Sequence, residues 1–204
     1  MRKLILLTPF IWLLAVSSLQ AASSEADRLK GVINAAIEAV YGDCCAELPL
    51  KEKQIKVREA LESEYDLDVI IRRAIGRSWS LMNAPEQEQV LELVKQLLVK
   101  AYVKGMNGES KPEVQLGETI EITGKRMEIP SKVKMDEKTV NVLYRLGRMK
   151  SGWQIYDIVA EDISMVANYR QQIDDHFRMG DGQDLINKLN ELLTKEDIDE
   201  ELQL

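Results

Sequence analysis

Reactive side chains are scarce in this sequence. It has one histidine, His176, and two cysteines, the neighbours Cys44 and Cys45. Nucleophilic catalysis needs a partnered base, and His176, set between Asp175 and Phe177, has no Ser or Cys motif to serve. The patterns G-x-S-x-G, G-x-G-x-x-G and H-E-x-x-H are missing, as is a Walker loop, which removes the commonest hydrolase, nucleotide-binding and zinc-peptidase chemistries. The cysteine pair falls two ligands short of a structural zinc site. Adjacent residues rarely satisfy disulfide geometry, so the pair reads as a loop feature, with a strained vicinal bridge or pairing to another thiol as the alternatives. Side-by-side acids such as Asp174 with Asp175 and Glu161 with Asp162 are more often capping or solvated groups than an acid–base pair. No catalytic residue, metal or cofactor is expected, and the chain reads as a non-enzyme.

Long apolar runs are also few. The one present, Leu4 to Val16, is broken only by Thr8 and Pro9. It is too short to span a bilayer, which takes about 20 residues. Arg2 and Lys3 precede it, and Ser17, Ser18, Ala21 and Ala22 follow. This order predicts a secretory signal peptide over residues 1–21, cleaved after Ala21 or Ala22. The lack of a cysteine at that site argues against a lipoprotein. Residues 22–204 are then one exported, soluble domain with a core of its own, ending in an acidic tail near 195–204 that is expected to fray.

Basic charge is in deficit. Losing Arg2 and Lys3 takes the basic residues from 27 to 25 against 34 acids, a formal charge of −9. Nucleic acid, whose phosphates need a basic surface, is excluded as a partner. Steady residence on an anionic membrane surface is disfavoured for the same reason.

What is present is amphipathic pattern. Ser24 and Asp27 read as a helix start, followed by Leu29, Val32, Ile33, Ala36, Ile37 and Val40 at helical spacing. A second helix is predicted from about Leu50 to Ser63, burying Ile55, Ala60 and Leu61. A short third one is capped by Asp66 or Asp68 and ends at Gly76. The longest helix starts at Asn83, with Pro85 in its first turn and Glu86 as capping partner, and stops near Gly105 or Gly108. Four strands follow: Val114–Thr123, Met127–Met135, Thr139–Arg148 and Trp153–Ala160, with Gly124, Asp136-Glu137 and Ser151-Gly152 as turns. Val140, Val142, Tyr144 and Leu146 alternate with Asn141 and Arg145, as in a half-buried strand. The last strand is apolar on both faces, so something must cover both. Two helices, with Val166, Tyr169, Ile173 and Phe177 on one and Leu185, Ile186, Leu189, Leu192 and Leu193 on the other, close the chain. The fold class is α+β: N-terminal helices, a twisted antiparallel sheet of about four strands, and C-terminal helices.

Val-Leu-Tyr-Arg-Leu at 142–146, Gly-Trp-Gln-Ile-Tyr-Asp at 152–157, Glu-Asp-Ile-Ser-Met-Val at 161–166 and Asn-Tyr-Arg at 168–170 resemble the C-terminal signature of the MlaC family. It is also called the toluene-tolerance family, periplasmic shuttles of a phospholipid transport system. Tyr65-Asp66-Leu67, Ala74-Ile75-Gly76-Arg77-Ser78-Trp79 and Asn83-Ala84-Pro85-Glu86-Gln87 resemble its upstream segments in order and spacing. The resemblance implies a monomeric lipid carrier with an apolar pocket between sheet and helices. It implies exchange of phospholipid between an outer-membrane lipoprotein complex and an inner-membrane ABC transporter with an MCE-domain subunit. On that reading Trp79, Val94, Leu97, Leu98, Tyr144, Trp153, Ile155 and Ile158 are candidates for the pocket wall or mouth, although the same residues serve equally as core. Arg77, Arg145 and Arg170 are candidates for a phosphate head group, against structural ion pairs such as Asp157 with Arg170. The alternatives are a carrier of another amphiphile, a hopanoid or fatty acid, and an exported protein-interaction module.

Overall fold

Alternation along Lys138–Met149 and its neighbours builds the sheet. The computed structural model describes residues 13–106 and 110–195, with residues 13–23 described by their backbone alone. Among these, six strands pair antiparallel: β1 (Glu113–Leu116), β2 (Ile120–Thr123), β3 (Arg126–Met135), β4 (Lys138–Met149), β5 (Gly152–Ala160) and β6 (Ile163–Ser164). Their order is β1-β3-β4-β5-β6, with β2 also on β3. The strand expected over Val114–Thr123 is two strands, broken at Gly117. The Gly117 N–H donates to the Pro130 carbonyl at 2.7 Å, but proline has no N–H to return the bond, so the ladder stops there. The β3–β4 turn puts Asp136 at φ 50, and the β5–β6 turn puts Glu161 and Asp162 at φ 45 and 65, left-handed conformations that the two aspartates tolerate better than most residues.

Six helices surround the sheet: α1 (Leu13–Tyr41), α2 (Leu50–Glu62), α3 (Leu67–Ile75), α4 (Ala84–Gly105), α5 (Met165–His176) and α6 (Gly182–Thr194), with a 3₁₀ turn at Gly76–Leu81. Caps fix most of their starts. Asp66 accepts from the Asp68 N–H, Ser164 from Ala167, and reciprocal capping boxes join Asn83 to Glu86 and Asp181 to Asp184. α3 stops where Gly76 turns to φ 59.

Two helix expectations need correcting. Ser24 does not start α1, which runs through it from Leu13, because the preceding alanines and leucines are strong helix formers. That makes α1, and not α4, the longest helix described. On α2, Ile55 is 51% exposed whereas Val57 is fully buried. The inward stripe is set by Val57, Ala60 and Leu61 at helical spacing, which points Ile55 outward. Cys44 is exposed, Cys45 is buried, and neither is bridged. His176 Nε2 lies 3.1 Å from the Asp181 carbonyl, tying the end of α5 to the cap of α6. Of the signal peptide, residues 1–12 lie outside the described residues, as does the acidic tail from residue 196.

The buried side chains form two clusters. The first joins α1, Val57 of α2, Tyr65, the C-terminal half of α4 and β3–β4 through Met127, Ile129 and Leu146. The second joins α3, the N-terminal half of α4, α5 and α6. Polar contacts lock α4 to its neighbours: Arg58 of α2 grips Glu92 through two bonds of 2.6 and 2.8 Å.

That bidentate pair yields a pH test. The Arg58 guanidinium, helped by Gln96, holds the Glu92 carboxyl down at about 2 from an ordinary 4.5. A depressed carboxylate stabilises the fold above its ordinary pKa and loses that effect as pH falls through the depressed one. Because Glu92 is 46% exposed, screening limits the effect to about 1 kcal/mol or less. Chemical denaturation should find Glu92→Gln slightly less stable than wild type at pH 7. The gap should close as pH drops from about 4.5 toward 2; a gap independent of pH would contradict the assignment.

Candidate ligand-binding cavity

Register decides which side chains face inward. Across β3, β4 and β5 the pairs Ile129↔Tyr144↔Ile158 and Met127↔Leu146↔Ile155 share one face. Ile155 and Ile158 are three residues apart, an odd spacing that would put them on opposite faces of a regular strand. A bulge between the Arg145 and Leu146 pairings leaves Tyr156 as an extra residue and restores both isoleucines to the inner face. The apolar run in β5 therefore reflects a change of phase, with Tyr156 stacked under Arg73 at 4.6 Å.

Between this inner face and the helices lies a cavity of about 460 Å³, within the roughly 300–1,000 Å³ typical of small-molecule sites. It separates the two clusters and takes wall residues from both, for example Leu29 and Ile33 from the first and Ile71 and Leu97 from the second. α4 supplies Val94, Leu97, Leu98, Ala101 and Tyr102, and the sheet supplies Val133, Val140, Val142, Tyr144, Ile155 and Ile158. Among the lining residues Asp66 is the one that carries charge, and its carboxylate is occupied in capping α3.

Six of the eight candidates, Val94, Leu97, Leu98, Tyr144, Ile155 and Ile158, line this cavity. Trp79 and Trp153 are not among the lining residues. Trp79 packs against the second cluster beneath Arg72, 4.9 Å from its ring. Trp153 packs on the first cluster, and its carbonyl accepts from Arg28 at 2.8 Å.

None of the three candidate arginines reaches the cavity wall. Arg145 belongs to the outer face, between Glu128 and Asp157 at 3.0 Å each. Arg77 pairs with Asp174 at 3.1 Å. Arg170 donates to the Arg73 carbonyl through Nε and Nη2. The ion pair with Asp157 is thus made by Arg145, its cross-strand partner, rather than by Arg170.

Tyr65, Tyr102 and Tyr169 also line the cavity and were not singled out from the sequence. Burial raises all three phenols above their ordinary pKa. Tyr144, whose hydroxyl shares a hydrogen bond with Ser131, is pushed up to about 12 by the same cause. The signal available in the sequence for Tyr65 was its place beside the α3 cap. No grouping of three or more His, Cys, Asp or Glu that could hold a metal occurs among the described residues, and no described helix is long and apolar enough to cross a membrane.

An α+β domain whose sheet and helices surround an apolar cavity defines a binding protein for an apolar ligand. Residues 46–191 match the family described as MlaC protein, and the chain belongs to that family. No curated protein sequence matches it. The fold is similar to that of a solved structure, the phospholipid-binding protein from Ralstonia solanacearum in complex with a phospholipid. The TM-score is 0.69 at 21% identity, over 83% of this chain and 98% of that one.

Because the cavity lies between the two clusters, filling it should stabilise the ligand-free protein. Ala101→Phe, pointed at the cavity, is expected to raise the melting temperature of delipidated protein by a few degrees. Val57→Phe, in closed core, should instead lose about 1–3 kcal/mol from overpacking. Calorimetry on both variants checks this; equal destabilisation would mean that the cavity wall is already packed.

Proposed function

We propose that this protein is a periplasmic phospholipid carrier. It would shuttle lipid between an outer-membrane lipoprotein complex and an inner-membrane ABC transporter with an MCE-domain subunit. One observation carries the reading: apolar side chains from two separate clusters line a shared cavity, in a chain of the MlaC family. The neighbour crystallised with a phospholipid supports the choice of cargo. Two acyl chains of about 30 methylenes would cost on the order of 24 kcal/mol to expose to water. A wall of this composition nearly cancels that cost, so exchange with a membrane runs close to thermoneutral and direction comes from the partners. The three arginines, tied up outside the cavity, favour a head group left in water.

Export rests on the predicted signal at residues 1–21. Cleavage after Ala21 or Ala22 would shorten α1 at its N-terminus and leave Ser24 near the new end, where it can cap. On this reading the protein acts without a cofactor and as a monomer. A hopanoid or free fatty acid would use the same wall, but a buried free carboxylate would find no basic partner among the lining residues.

Native mass spectrometry of the exported protein, followed by organic extraction, is the direct test. Stoichiometric phospholipid is expected; a clean ligand-free mass with no uptake from liposomes would overturn the proposal. Leu97→Asp places a charge in the wall and should strip the lipid. A folded variant with wild-type lipid content would remove Leu97 from the site.

A further inference from the structure

Tyr65 is 3% exposed and lines the cavity, and its hydroxyl has no hydrogen-bond partner. Buried hydroxyls are nearly always bonded, so this one points to a missing acceptor. The surroundings say what kind. Arg28 covers the Tyr65 ring at 4.3 Å. Its Nη atoms bond Glu25 at 2.8 Å and the carbonyls of Glu64 and Trp153, and its Nε, which makes no hydrogen bond, pairs with the Glu64 carboxylate at 3.3 Å. Glu25 and Glu64, both acting on the phenol, outnumber that single cation, so a phosphate or carboxylate brought to the hydroxyl would be repelled. A neutral acceptor would not. Tyr144, by comparison, is bonded to Ser131, whereas the Tyr65 hydroxyl is fully buried with no partner. Burial keeps its phenol protonated, since the ionised form is disfavoured there.

We propose that the Tyr65 hydroxyl donates a hydrogen bond to an ester carbonyl oxygen of the bound lipid, so that the cavity reads the acyl-ester linkage as well as the hydrocarbon. This rests on the lipid-carrier reading. The carbonyl is neutral, sits at the junction of acyl chain and glycerol, and is the first polar group an acyl chain brings with it into an apolar cavity. A dialkyl ether lipid has the same chains and head group but replaces that carbonyl with a methylene.

The test uses the full-length exported protein, delipidated, and vesicles of dioleoyl phosphatidylglycerol or of its dioleyl ether analogue. Wild type should take up the ester lipid roughly 2- to 12-fold more tightly than the ether lipid, the range of one neutral hydrogen bond. Tyr65→Phe should bind the ether lipid as wild type does and lose the preference for the ester. Delipidated Tyr65→Phe should also melt no lower than delipidated wild type, because no internal bond is removed; a drop of several degrees would show that the hydroxyl has a partner within the protein and would overturn the proposal. Equal uptake of ester and ether by wild type overturns it as well, while leaving the carrier reading intact. That comparison holds whether or not the variant folds. Uptake of neither lipid by wild type sinks both readings.

Discussion

The structure depends on two apolar clusters being kept apart. Among the described helices α4 (Ala84–Gly105) is the one whose buried residues enter both: Val90, Leu91, Leu93 and Leu97 belong to one cluster, and Val99 and Val103 to the other. Apolar groups in water would otherwise close the gap, so something must hold α4 in place. Polar fasteners along its length do so. Its start is fixed by the Asn83–Glu86 box. Its outer side is held by Arg58 to Glu92 and by Lys95 to Asp68 at 2.7 Å, and further along Lys100 donates to the Leu193 carbonyl at 2.8 Å. Each contact is worth little alone on a partly exposed surface. Spread along the helix they set its position, and the position sets the cavity.

Charge is sorted by the same geometry. The sheet's outer face carries the cross-strand row Glu128, Arg145 and Asp157, and Asp157 in turn accepts from the Ser164 hydroxyl and the Val166 N–H. Its carboxylate therefore joins the sheet to the start of α5 while staying off the inner face. The residues opposite, Tyr144 and Ile158, face the cavity because pleating sends neighbouring side chains to opposite sides. A wall made this way presents hydrocarbon and phenols, with no charge free to select a head group. Discrimination among lipids then falls to chain volume and to the few neutral polar groups within reach.

Much of this was legible in the sequence where a periodic signal met a capping signal. The α4 start at Asn83, the end of α3 at Gly76 and the alternation of Val140, Val142 and Tyr144 follow from local chemistry, and local chemistry is what a single sequence records. Other features depend on partners in space. Ile55 and Val57 are equally apolar, and only the packing of α2 on α1 makes one exposed and the other buried. Pro130 splits the first strand because it lies opposite Gly117, a pairing no linear pattern states. The arginines Arg77, Arg145 and Arg170 were candidates by residue type. Their placement on the outside was decided by acids and a carbonyl brought near them by the fold.

The bulge at Tyr156 links sheet geometry to the cavity wall. Without it, Ile155 and Ile158 would alternate in and out, and β5 would offer the cavity half of its hydrocarbon. The extra residue needs space on β4 and finds it at Gly147, where an added Cβ would come within 3.2 Å of the Tyr156 ring. Arg73 covers the other side of that ring, and its carbonyl is the group that holds Arg170. A glycine in one strand, an aromatic in the next and two arginines on α3 and α5 thus act on one geometric problem, keeping an irregular strand rigid while its inner face stays apolar. Rigidity matters here because a carrier gains nothing from a cavity that collapses when empty. Each step of refilling would then have to reopen it against the same hydrophobic force that draws the ligand in.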